Sequence, residues 1–178
     1  MTYPFTENDM ERAAQDWGCN CGPSALAFAL QKPLDAARYA IPDFAKKRYT
    51  SPTMMKAALA FHLQPFDVVR IARPAPGKRA DIERMFHARP ALVRVQWEGP
   101  WTDPGSNPRW AYRQTHWIAT WEERGVPLIF DCNGGIMGLS RWENEIVPLI
   151  VKHTPRASGG WYPTHVWRLV PVSKEAVA

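Results

Sequence analysis

The sequence predicts an α+β fold: an N-terminal helical half packed on a C-terminal antiparallel β-sheet. Two observations carry this expectation. Helical signatures dominate the first third of the chain, and after Pro90 four segments rich in β-branched and aromatic residues follow one another. Helices first and strands afterwards is the order of α+β proteins. The chain has 178 residues, of which 46% are hydrophobic. That fits a single domain spanning 1–178, large enough to bury a core without disulfides. Nine Trp, seven Phe and five Tyr exclude intrinsic disorder.

The elements follow in order. Residues 22–31 (GPSALAFALQ) read as a helix. Pro23 suits a first turn, where its missing N–H has no intrahelical partner to lose, and the small apolar residues behind it predict a buried helix. Leu34–Lys47 is a weaker helix, broken near Pro42. Thr50–Leu63 is a good one: Ser51 caps, Pro52 opens the first turn, and Met54, Met55, Ala58, Leu59 and Phe61 form the apolar stripe. Pro65–Ile71 reads as extended and Ala80–His87 as a short helix. The strands are Ala91–Trp97, Thr115–Trp121, Pro127–Asp131 and Thr164–Val170. Residues 122–126 (EERGV) join the second and third as a hairpin. A loop over 98–113 carries Trp101, Trp110 and Tyr112.

Composition narrows function. Twenty-two Lys plus Arg against seventeen Asp plus Glu give a net charge of +5. The basic residues are scattered, so no nucleic-acid partner is expected. No apolar run approaches the ~20 residues of a membrane helix. The N-terminus has neither the basic start nor the apolar stretch of a secretory signal, which makes the chain cytoplasmic as synthesised, with export by another route left open. Three cysteines cannot form a complete disulfide framework, so at least one thiol is available to react.

The sharpest chemical signal is 15–26, QDWGCNCGPSAL, which places a thiol at the start of a buried helix. A helix N-terminus presents unpaired N–H groups and about half a positive charge, which favours a thiolate and can hold the oxyanion formed when it attacks a carbonyl. Gln15, six residues before Cys21, offers a second oxyanion donor. Cys21 is preferred over Cys19 because it alone has both that spacing and the helix behind it. The base is expected at His116, inside an apolar strand (QTHWIATW). Asp131, at the end of the neighbouring strand, would accept the imidazole N–H and fix its tautomer, with Asn133 in reserve. In that arrangement Cys132 points away. His165, beside Trp167, is the one substitute base. Trp101, Trp110 and Trp161, in Gly/Pro-rich loops, are candidates to wall a substrate groove.

These residues resemble the papain-like cysteine peptidases. They are closest to the bacterial branch that includes the peptidases processing double-glycine bacteriocin leaders. The likeness rests on Gln15, Cys21-Gly-Pro and its helix, the His116 strand, and Asp131 fifteen residues later. It covers about residues 15–135. It implies a helical half facing an antiparallel sheet with the site between them. It also implies Cys21 as nucleophile, His116 as base, Asp131 as its orienter and Gln15 as oxyanion donor. The expected activity is hydrolysis of an amide bond in a peptide or protein, a peptidoglycan stem peptide included. An acyltransferase using the same triad, and an inactive papain-fold binding module, are the alternatives. Cys19, Cys21, Cys132 and His116 also make a Cys₃His set for zinc, but a Cys-x-Cys pair on one strand is poor tetrahedral geometry. No metal or organic cofactor is expected.

Overall fold

The computed structural model describes residues 4–18, 20–71, 85 and 90–171. The helix expected over 80–87 and the rival thiol Cys19 lie outside the described residues.

Five helices come first: α1 (Glu7–Trp17), α2 (Cys21–Leu30), α3 (Leu34–Ala40), α4 (Phe44–Lys47) and α5 (Pro52–Phe61). Helix α1 is an addition to the elements read from the sequence, which begin at residue 22. Its signal is present nonetheless. Thr6 Oγ1 accepts from the Asp9 N–H at 3.2 Å while Asp9 Oδ2 accepts from the Thr6 N–H at 2.9 Å, a closed capping box. Met10, Ala13 and Trp17 then recur on one buried face, and Gly18 ends the helix at φ 70°. Helix α5 follows its sequence signal, with the Ser51 hydroxyl accepting from the Met54 N–H and Pro52 in the first turn.

The sheet has six antiparallel strands. These are β1 (Phe66–Val69), β2 (Ala91–Trp97), β3 (Thr115–Glu123), β4 (Val126–Asp131), β5 (Gly135–Met137) and β6 (Trp161–Leu169). Their order is β1-β6-β2-β3-β4-β5. Arg124 and Gly125 turn the β3–β4 hairpin, both at positive φ (51° and 81°), as a two-residue turn matched to strand twist requires. Between β2 and β3 lies the short helix α6 (Pro108–Ala111). After β5 a helical stretch runs through α7 (Leu139–Arg141), a π turn (Trp142–Ile146) and α8 (Val147–Lys152).

That last stretch explains why the strands are apolar on both faces. Leu92, Trp117, Ala119, Phe130 and Trp167 belong to the core shared with α1–α5. Their strand neighbours Val93, Ile118, Ile129 and Val166 belong to a second core with Trp142, Ile146 and Val147. The sheet is therefore a middle layer, where sequence reading expected one helical face. Apolar residues on both sides of a strand cannot say which element covers each, and 146–151 reads only as an apolar run.

Helix α2 sits against the sheet centre. Phe28 stacks on Phe130 of β4 with ring centroids 4.4 Å apart. The Trp117 indole N–H donates to the Thr50 carbonyl at 2.8 Å, tying β3 to the segment entering α5. Gly22 fits between these parts, because a Cβ there would stand 2.1 Å from Thr50 Oγ1. Gly22→Ala should therefore lower stability by about 1–3 kcal/mol, the usual cost of overpacking, seen as a fall in urea midpoint at unchanged slope.

His165 of β6 supplies a pH dependence. Burial, and then the charges of Arg94 and Lys56, lower its pKa from 6.5 to about 4. Between those values the unfolded chain binds a proton the folded chain refuses, so stability rises with pH across that window and is complete above it. After allowance for solvent screening the effect is about 1–2 kcal/mol. His165→Gln should flatten denaturation midpoints between pH 4 and about 6.5.

Candidate active site

The start of α2, the start of β3 and the end of β4 converge on one cavity of about 260 Å³, bordered by Cys21, His116, Cys132, Asn133, Trp97 and Asn20. Helix α2 brings Cys21 as its first residue. Its N-cap, Asn20, makes no side-chain cap, because its amide donates instead to the Met10 carbonyl at 3.0 Å. The N-cap side chain thus does not cover the positive end of α2, and Pro23 brings no N–H to that first turn.

His116 is 7% exposed and Asp131 is fully buried. His116 Nε2 lies 2.9 Å from Asp131 Oδ2. The same oxygen accepts from the Trp142 indole N–H at 2.8 Å. The other, Oδ1, accepts from the Asn133 backbone N–H at 2.9 Å and from its side-chain amide at 3.0 Å. Burial alone would raise the Asp131 pKa. The His116 charge, with the hydrogen bonds from His116, Trp142 and the Asn133 N–H, outweighs it and holds the carboxyl below its ordinary 3.8. What this carboxylate contributes to stability is complete above that ordinary value and is lost as pH falls through the lowered one.

An ionised carboxylate only accepts, so Nε2 of His116 carries the proton between them. The lone pair of the neutral ring is then on Nδ1, the nitrogen that can act as base. The Trp97 ring, tilted 32° at 6.0 Å, packs beside the imidazole. Asp131 therefore holds His116, as the sequence predicts. Asn133, the reserve candidate, instead braces Asp131 from its far side.

Three expectations need correction. Gln15 lies exposed on α1, because Met10, Ala13 and Trp17 take the inward face, and it borders neither cavity that Cys21 lines. The amide residues at the smaller cavity are Asn20, Gln114 and Asn133. Cys132 does not point away: its sulfur lies within 4.8 Å of ligand atoms of His116 and Asp131, since the chain turns directly after β4. The three loop tryptophans do not wall the site. Trp101 donates its indole N–H to the Trp97 carbonyl at 2.7 Å, and Trp161 lies in β6, edge-on to Trp142 at 4.8 Å. Trp110 stays 64% exposed and borders neither Cys21 cavity.

No family model and no curated protein matches this sequence. What the site can do is read from its chemistry.

His116, Asp131 and Cys132 are residue types that bind metals, yet the 2.9 Å between Nε2 and Oδ2 is shorter than the edge of a tetrahedral zinc site, about 3.3 Å for ligands at ~2.0–2.1 Å. The pair is arranged as a hydrogen bond. Of the two thiols among the described residues, a thiolate at Cys132 would face the Asp131 carboxylate. One at Cys21 faces the start of α2 and the guanidinium of Arg94, whose charge interacts with it. His165, the substitute base, hydrogen-bonds the Thr164 hydroxyl at 3.1 Å and stands edge-on to Trp167.

Sequence reading missed Trp142 and Arg94. Trp142 leaves no signal, because its role depends on a helix folding back over β4. Arg94 leaves a clear one, a charge inside the apolar strand ALVRVQW.

Proposed function

We propose that this chain is a papain-like thiol hydrolase that cuts an amide bond, with Cys21 as nucleophile, His116 as base and Asp131 as the residue that orients it. One observation carries the reading. A buried His116–Asp131 pair opens on the same cavity as a cysteine at the uncapped start of a buried helix. The division of labour also fits a papain-like plan, with the nucleophile on the helical side and base and carboxylate on adjacent antiparallel strands.

The reaction runs in two halves. His116 Nδ1 takes the Cys21 proton, and Cys21 Sγ bonds to the substrate carbonyl carbon while the oxyanion lies against the N–H groups opening α2. The C–N bond breaks as His116 returns the proton to the departing amine. His116 then deprotonates a water, whose oxygen attacks the thioester carbonyl and releases a carboxylic acid and the free thiol. Asp131 holds the tautomer throughout.

The substrate is a peptide or protein, with a peptidoglycan stem peptide among the candidates. Incubation with muropeptides and with a denatured protein mixture, read by mass spectrometry, tests this. Wild type should generate new carboxyl termini with uptake of one water, and Cys21→Ala should generate none. Equal product from both variants would overturn the reading. Products carrying an added amine in place of water would convert it to acyl transfer.

A further inference from the structure

Cys21 also borders a second and larger cavity, of about 760 Å³, on the helical face of the sheet. Its charged wall has one sign. Lys47, Arg48, Arg94, Arg109 and Arg113 line it, and among the described residues no Asp or Glu does. Lys47 pairs with Asp43 at 3.2 Å, whereas Arg48, Arg94, Arg109 and Arg113 have no ion-pair partner among the described residues.

Arg94 is the unusual member. It stands in the middle of β2, only 3% exposed. Its side chain shares the helical face with Leu92 and with Trp117, its β3 partner. One terminal nitrogen, Nη2, donates weakly to the Tyr112 carbonyl at 3.3 Å, the guanidinium lies 4.4 Å over the Tyr112 ring, and Nε has no hydrogen-bond partner. A guanidinium has five N–H donors in a planar fork suited to a carboxylate, and burying one without an anion is costly. Burial accordingly lowers its pKa, against the opposing charges of Tyr112 and Cys21. A buried cation with so few acceptors beside the reacting sulfur marks a place for an anion that arrives with the substrate.

We propose that the larger cavity is a carboxylate-binding subsite, in which Arg94 pairs with an acidic group of the substrate next to the scissile amide while Arg48, Arg109 and Arg113 draw it in. The substrate class is then an acidic peptide cut beside its carboxylate-bearing residue. This rests on Cys21 being the nucleophile, and the test separates the two.

Iodoacetate and iodoacetamide differ by a carboxylate against a carboxamide, and both alkylate thiolates. The rate ratio of iodoacetate to iodoacetamide at Cys21 should exceed that of glutathione at least tenfold and fall toward it in high salt. Arg94→Gln should erase the excess by slowing iodoacetate at least tenfold more than iodoacetamide, whose smaller loss reports the Arg94 charge acting on the Cys21 thiolate. Arg109→Gln and Arg113→Gln, exposed and safe for folding, should each reduce it about twofold. Equal slowing of both reagents in Arg94→Gln, or a wild-type ratio like that of glutathione, would show that Arg94 only supports the thiolate or the fold. If neither reagent prefers Cys21 over Cys132, the catalytic reading fails, and binding decides the subsite. N-acetylglutamate titrated against Cys21→Ser should then raise its melting temperature saturably, N-acetylglutamine should not, and Arg94→Lys should weaken the effect. No difference between the two probes would overturn the subsite.

Discussion

Glutamine at His116 is expected to cut amide turnover by about 10⁴-fold and to slow alkylation of Cys21 by iodoacetamide at pH 6.5 about tenfold. Glutamine is chosen over alanine because its amide N–H can still reach Asp131 Oδ2, where His116 Nε2 now lies at 2.9 Å. Alanine would leave a buried carboxylate one donor short and could lose the fold for that reason alone. The two readouts differ because they measure different things. An ordinary thiol near pKa ~8.5 is about 1% ionised at pH 6.5, so full pairing with an imidazolium raises the thiolate fraction about a hundredfold. A less basic thiolate is a weaker nucleophile, with a Brønsted slope of ~0.5, which takes back about tenfold. In the proposed mechanism turnover loses more, because there His116 both takes the thiol proton and delivers it to the leaving amine. Peptide mapping after a timed pulse of reagent gives the rate at each cysteine. If Cys21 and Cys132 label at equal rates in wild type and variant, the imidazole is not coupled to the Cys21 thiol.

The residues that make this testable differ in how openly the sequence declares them. Cys21 is legible because a local pattern, small residues after Gly-Pro, forecasts the buried helix it opens. His116 and Asp131 are legible as a pair because a hairpin through 122–126 makes their strands neighbours, and the register, with Ala119 opposite Phe130, leaves the two one diagonal step apart. Helix α1 had a complete capping box and a regular buried face, so its signal was present and unread. Gln15 shows the cost. Six residues of spacing suggest reach to Cys21 if the segment is extended, but on α1 the side chain turns outward with the polar face. Cys132 fails by a different route. Strand alternation predicts that the residue after Asp131 faces the other way, but β4 ends at Asp131 and alternation ends with it. Trp142 and the second core were beyond local reasoning altogether. Nothing in α7 or the π turn says that the indole will reach back to Asp131, a contact fixed by tertiary packing.

Asparagine at Asp131 is the substitution with the second large effect, and Trp142 explains why an isosteric change should cost so much. Asp131 receives four N–H groups and offers none: His116 and Trp142 at Oδ2, and the Asn133 backbone and side chain at Oδ1. An amide has one oxygen and one NH₂, so one side must become donor against donor in a fully buried site. If the NH₂ faces Asn133, the Asn133 side-chain amide can turn its oxygen toward it, but the Asn133 backbone N–H loses its acceptor. If it faces Oδ2's partners, the imidazole can adapt by moving its proton to Nδ1, but the indole of Trp142 has no second tautomer. The first choice costs stability, and the second removes the base as well. A loss of about 3–5 kcal/mol in unfolding free energy is expected, with turnover down about 10⁴-fold. Trp142→Phe alone should cost about 1–3 kcal/mol by leaving the carboxylate short of a donor. In the Asp131→Asn background the same change removes the clashing indole N–H, so the double variant should be more stable than the sum of the two losses predicts, by about 1–2 kcal/mol. Urea denaturation of the four proteins closes this cycle. Strict additivity would mean that in Asp131→Asn the NH₂ turns toward Asn133 and the indole keeps an oxygen acceptor.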